Sequence, residues 1–228
     1  MRTALQVQYC WYGFEMSVKV LTKGEATRER LLDLAEEAVL QKGFGATTID
    51  ELIAGAGLTK SGFFYHFRDK NDLAQALLRR YIERHNQIID EMMRKAAELT
   101  DDPLQHFLIG LKFFADLLAD LPKTHPGCIV AAFCYQDQQF SRDIRELNAE
   151  GIRAWRGRIA AMLSNIARRY PPREGVDLDV LADMATSIVE GGIILSRTFD
   201  DKRMLAQQMM AYRNYVKLAF EPRPEMAK

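Results

Sequence analysis

The chain has 228 residues, 48% of them hydrophobic, and its 31 basic and 31 acidic side chains leave a formal net charge of zero. That length and apolar content supply a substantial core and suit one small domain beside a larger one, while zero net charge excludes a chain-wide basic surface. Three cysteines at irregular spacing form neither a disulfide framework nor a zinc pattern and fit a reducing cytoplasm, and the longest apolar run, 128–134, is far too short to span a membrane.

Residues 1–21 mix Gln, aromatic residues and Cys10 without helical periodicity. They lack the apolar core and cleavage site of a signal peptide and read as a disordered leader. From Thr22 the chain reads as helices, with no alternating strand pattern and no internal repeat. Leu31, Leu34, Ala35, Ala38 and Val39 form the apolar stripe of a first helix closed by Gly43 and Phe44. Thr48 opens a second, with Glu51 three residues on as a capping-box partner and Ile49, Leu52, Ile53 and Ala56 at helical spacing. Gly57 supplies a positive-φ turn, and Thr59 caps a third helix running through about Phe67. Two short helices on a glycine turn describe a helix-turn-helix, whose second helix enters the major groove of DNA. Asp69 caps a fourth helix from Lys70 into the nineties, along Leu73, Leu77, Tyr81, Ile88 and Met92. Asp102-Pro103 begins a fifth, since proline is tolerated at the first helical position. His125-Pro126 begins a sixth, Ser141 caps a long seventh ending at Pro171-Pro172, and 177–198 and 201–220 make the last two.

The run Gly57-Leu58-Thr59-Lys60-Ser61-Gly62-Phe63-Phe64-Tyr65-His66-Phe67, followed by Lys70 and Leu73, resembles the DNA-binding domain of TetR-type (TetR/AcrR) transcriptional regulators. The resemblance is strong over 22–75 and weak beyond. It implies an all-α fold, with a three-helix DNA-binding domain over 22–68 and a helical effector-binding and dimerisation domain over 69–228. The expected partners are double-stranded operator DNA, a small-molecule effector and a second copy of the chain, with no cofactor, metal or membrane. Carried over residue by residue, Thr48, Tyr65, His66 and Lys70 match phosphate-binding positions. Lys60, Ser61 and Gly62, behind the capping Thr59, occupy the face that reads bases. Lysine suits guanine O6 and N7, and glycine permits close backbone approach. The charge is local here: between 60 and 70, Lys60, Arg68 and Lys70 face only Asp69, leaving +2. Phe63 and Phe67 are expected in the core. Phe64, where relatives often carry tyrosine, lacks a phosphate-binding hydroxyl, and Ile53 is larger than the usual alanine. Met16 is a second candidate start.

The remainder is expected to sense a ligand and to dimerise. Phe107, Leu111, Phe113, Phe114, Leu117 and Leu118 make the fifth helix apolar around most of its circumference. Phe114, Cys128, Tyr135 and Trp155, with the polar groups of His106 and His125, are the candidates for an effector pocket of largely apolar character; plain core packing is the alternative for each. Cys128 and Cys134 leave open a thiol-based electrophile or redox sensor, although six residues along one helix is too far for an intrahelical disulfide. Ile188, Gly191, Gly192, Leu195 and Tyr212 in the last helix pair are the expected dimer interface, with packing inside the protomer as the alternative. The direction of regulation, repression or activation, stays open, repression being the first reading. Gly43-Phe44-Gly45 lacks the third glycine and preceding strand of a dinucleotide site, and no nucleophile elbow or phosphate loop occurs, so no enzyme is expected.

Overall fold

The computed structural model describes residues 19–220 and, ahead of them, 5–7, 10–11 and 14–15. Leu5–Val7 pairs antiparallel with Lys19–Leu21, and Cys10–Trp11 with Phe14–Glu15. The rest of 1–18, and with it most of the leader expected to be disordered, lies outside the described residues.

All regular structure from Lys23 to Phe220 is helical: α1 Lys23–Ala46, α2 Ile49–Ala56, α3 Lys60–His66, α4 Lys70–Ala97, α5 Pro103–Ala119, α6 Ile129–Tyr135, a 3-10 turn Asp137–Gln139, α7 Arg142–Ala167, α8 Leu178–Phe199 and α9 Arg203–Phe220. The starts have local causes. Thr22 and Glu25 form a reciprocal capping box on α1. At α2 only half of the expected box is present. The Thr48 hydroxyl accepts from Glu51 N–H at 3.2 Å, but the Glu51 carboxylate turns to Lys42 Nζ at 2.6 Å instead of the Thr48 backbone. Asp102 accepts from Gln105 N–H at 2.9 Å, with Pro103 at the first helical position of α5. The sixth helix starts at Ile129, later than His125-Pro126 suggests, because Gly127 sits at φ 131° and interrupts any helix through it.

Two compact units result, one of Met1–Arg84 with Pro126–Gly151, the other of His85–His125 with Ile152–Lys228. The division between these units falls inside α4 and α7. In the first unit Leu31, Leu32, Ala35 and Val39 of α1 are buried together with Leu52, Phe63, Phe67, Leu73 and Leu77. Beside this core, Arg80 reaches Glu29, Asp33 and Glu36 at 3.1, 2.7 and 2.7 Å, and Arg84 faces the same three acids. Burial pushes the Glu36 carboxyl up against the pull of both arginines. Deleting Arg80 would leave the buried Glu36 carboxylate only Arg84 at 3.4 Å, a loss of up to about 3–5 kcal/mol.

The second unit is built on α9, which packs against α5 and α8. Leu104, Phe107, Leu108, Leu111, Ala115 and Leu118 are buried along one face of α5, and Phe113, Phe114 and Leu117 beyond it are only partly buried. Among the described residues, no helix is long and apolar enough to cross a membrane.

Candidate nucleic-acid interface

The α2–α3 turn is set by backbone geometry. Gly57 lies at φ 65°, ψ 37°, while a Cβ there would meet nothing within 4 Å; conformation, not space, demands glycine. Leu58 N–H donates to Ile53 O at 3.0 Å and Gly57 N–H to Ala54 O at 3.2 Å, so the last carbonyls of α2 are satisfied. Thr59 then accepts from Gly62 N–H at 3.2 Å and starts α3. One side of α3 is anchored: Phe63 and Phe67 are fully buried, their ring centroids 5.7 Å apart. The other side carries Lys60, Ser61, Phe64 and Tyr65, all exposed, Tyr65 to 82%. The Lys60 ammonium makes no ion pair among the described residues.

Gly62 has no reason inside the protein to be glycine. An added Cβ would meet Leu58 Cβ and Thr59 Oγ1 at 3.5 Å, ordinary contact, and glycine weakens a helix relative to alanine. The His66 imidazole is held below its ordinary pKa, first by burial and then by the Arg28 charge, so near neutral pH it is an uncharged donor. Arg28, absent from the residues singled out by sequence, lies 5.0 Å over the Phe67 ring. No short motif joins positions so far apart in the chain.

Lys70 differs most from expectation. Its ammonium donates to Phe44 O at 2.6 Å and Gly45 O at 3.4 Å and lies 4.3 Å over the Phe44 ring. The charge is committed to the carbonyls at the end of α1, where a cation is favourable, instead of standing free for a phosphate. The Thr48 hydroxyl is likewise engaged, with Glu51 on both its donor and acceptor sides.

The effector candidates do not share one unit: Cys128 and Tyr135 belong to the first, Phe114 and Trp155 to the second. Tyr135 is 81% exposed. Cys128 caps α6, its Sγ accepting from Ala131 N–H at 3.5 Å, and Cys134 is exposed. Trp155 Nε1 donates to Asn86 Oδ1 at 2.9 Å. His106, whose polar group is a candidate for that pocket, has Nε2 2.8 Å from Met93 O.

Two interface candidates turn inward. Tyr212 is fully buried and donates to Leu181 O at 2.9 Å, and a Cβ on Gly192 would lie 2.7 Å from Leu205 Cδ1 and 3.2 Å from Leu205 Cα. Both serve the α8–α9 contact within the protomer. Ile188, Gly191 and Leu195 stay partly exposed, near Ile194 in sequence at 55%, and a Cβ at Gly191 meets open space.

A glycine turn between two capped helices, the second seated on buried phenylalanines with a polar face outward, defines a helix-turn-helix protein. The pattern described as "Bacterial regulatory proteins, tetR family" matches residues 31–77. The chain belongs to the TetR family of transcriptional regulators, being 30% identical over 178 residues to the HTH-type transcriptional regulator TtgR of Pseudomonas putida, across 75% of this chain and 80% of TtgR. It is 27% identical over 139 residues to the HTH-type transcriptional repressor NemR of Escherichia coli (strain K12), covering 60% of this chain and 65% of NemR, slightly less than two thirds of that relative. A TetR-family regulator from Agrobacterium tumefaciens has the same fold, with TM-score 0.70 and 17% identity over 85% of this chain and 98% of that one.

Proposed function

We propose that the protein is a dimeric, ligand-responsive repressor in the cytoplasm, which occupies a palindromic operator and is released by a small, largely apolar effector. The observation that carries DNA reading is the outward face of α3, where Lys60, Ser61 and Tyr65 stand exposed on a helix locked by Phe63 and Phe67. Lys60, Ser61 and Gly62 read base edges; Thr59, Tyr65, uncharged His66 and Arg28 contribute backbone contacts. Repression is supported by the similarity to NemR, a transcriptional repressor. Two copies meet through α8, on the side of Ile188, Gly191 and Leu195, and each presents one α3 to successive turns of the duplex. Effector binding in the helical remainder changes DNA affinity only as far as the effector prefers one of two states, and operator DNA weakens effector binding by the same factor.

Selection of duplexes from a random-sequence pool tests this reading. The wild-type protein should enrich a palindrome with half-site centres roughly 10 bp apart or a multiple of it. Lys60→Ala should relax preference at one position per half-site at a cost of about 1–3 kcal/mol there. A pool without enrichment would remove the DNA-reading role.

A further inference from the structure

Residues 126–151 fold in the same unit as α1–α3, and they close on the end of α1. Gly43, at φ 83° and ψ 162°, breaks the helix there. A residue in that conformation interrupts the i→i−4 ladder, so the amides just beyond it need other acceptors. Gln136 provides one: its Oε1 accepts from Phe44 N–H at 2.9 Å and from Gly45 N–H at 3.3 Å. The carbonyls of the same two residues are taken by Lys70 Nζ at 2.6 and 3.4 Å, and Gly43 O accepts from the Thr47 hydroxyl at 3.0 Å.

Packing repeats the pattern. The Phe44 ring lies 4.6 Å from Phe140 and 5.8 Å from Phe133, which stack on each other at 4.2 Å. The approach is closer than side chains on α1 would permit. A Cβ on Gly43 would sit 2.2 Å from Gln136 Nε2, and one on Gly45 2.5 Å from Gln139 Oε1. Thr48, which caps α2, follows this corner directly, so the corner sets the direction in which α2 and α3 leave α1.

We propose that Gln136 is a positioning residue for DNA reading: its amide oxygen holds the 43–47 corner in the form that presents α2 and α3 to a duplex, and movement of residues 126–151 changes DNA affinity through this bond. The proposal rests on the reading of the chain as a DNA-binding regulator. Gln136 touches no DNA in this role; it acts through Phe44 and Gly45.

The test uses the full-length protein, a duplex selected by the wild type from a random-sequence pool, and an unselected duplex of equal length. Gln136→Ala removes the shared acceptor and should weaken binding to the selected duplex about tenfold, the scale of losing two net hydrogen bonds. Binding to the unselected duplex should stay near wild type and the thermal unfolding midpoint should fall by a few degrees, as the loss of two hydrogen bonds requires, while hydrogen exchange quickens at the Phe44 and Gly45 amides. Gln136→Glu keeps an acceptor oxygen and should restore specific binding. If the alanine variant fails to fold, Gln136→Met, of similar length and without the amide, takes its place. Unchanged affinity for the selected duplex overturns the proposal, as does an equal loss on both duplexes or a failure of glutamate to restore binding. A wild-type protein that selects no duplex overturns the DNA-binding reading, and the proposal falls with it; that failure is visible before any variant is made.

Discussion

Gly62 and Lys70 separate what a residue does for the fold from what it does for DNA. Because an alanine Cβ at 62 meets only ordinary contacts, Gly62→Ala should stabilise the protein by up to about 1 kcal/mol through helix propensity. The same methyl group would hold the backbone away from base edges and weaken selected-duplex binding. Denaturant midpoints and a binding titration on one preparation check the opposite signs; a variant that binds as tightly as wild type would leave Gly62 without a role in DNA approach. For Lys70 the family resemblance implies a phosphate contact, lost uniformly on truncation. With its ammonium on Phe44 O and Gly45 O, Lys70→Ala should instead lower stability by about 1–2 kcal/mol, allowing for partial exposure of a charged hydrogen bond. Chemical denaturation decides: unchanged stability, together with a salt slope of DNA binding shallower by about one, would return Lys70 to the phosphates.

At the scale of elements, the neighbouring glycines of α8 face different partners. A Cβ at Gly192 meets the backbone of α9 at Leu205 Cα, 3.2 Å away, so Gly192→Ala must push α8 and α9 apart at a cost of about 1–3 kcal/mol. At Gly191 the added atom meets nothing, and Gly191→Glu even gains helix propensity. If the Ile188–Leu195 side of α8 is the dimer face, Gly191→Glu should give a folded monomer with weak operator binding, whereas Gly192→Ala should shift the melting midpoint first. Light scattering beside thermal unfolding distinguishes them, and a Gly191→Glu protein that remains dimeric would move the interface elsewhere.

For the whole molecule, stability against pH carries the mark of His125. The imidazole is buried, and burial, then the charges of His85 and Arg197, push its pKa down to about 3 from 6.5. The folded form therefore keeps His125 neutral while the unfolded chain takes up a proton below about pH 6.5. Its contribution is complete above that pH and is lost as pH falls toward about 3, with a slope of at most about 1.4 kcal/mol per pH unit. Urea unfolding at pH 7.5 and pH 5 should show a steeper decline for wild type than for His125→Gln. Equal declines would mean that His125 is free to protonate in the folded state.

The sequence alone was enough for features whose causes are local. Gly57 must adopt a left-handed turn, Thr59 and Asp102 cap the helices they precede, and Phe63 and Phe67 lie one helical turn apart, so the helix-turn-helix and the helical order of the chain can be read residue by residue. Partnerships across the chain could not be read in this way. Tyr212 and Gly192 look like any apolar or small interface positions until Leu181 and Leu205 occupy them, and the carboxylate of Glu51 fits a capping box until Lys42 takes it. Lys70 and Gln136 meet at the Phe44–Gly45 peptide only because 26 and 92 residues of chain separate them from Phe44 without separating them in space. Helix periods and caps depend on neighbours within four residues, whereas the partner of a long polar side chain is decided by which backbone groups the tertiary fold leaves unsatisfied beside it.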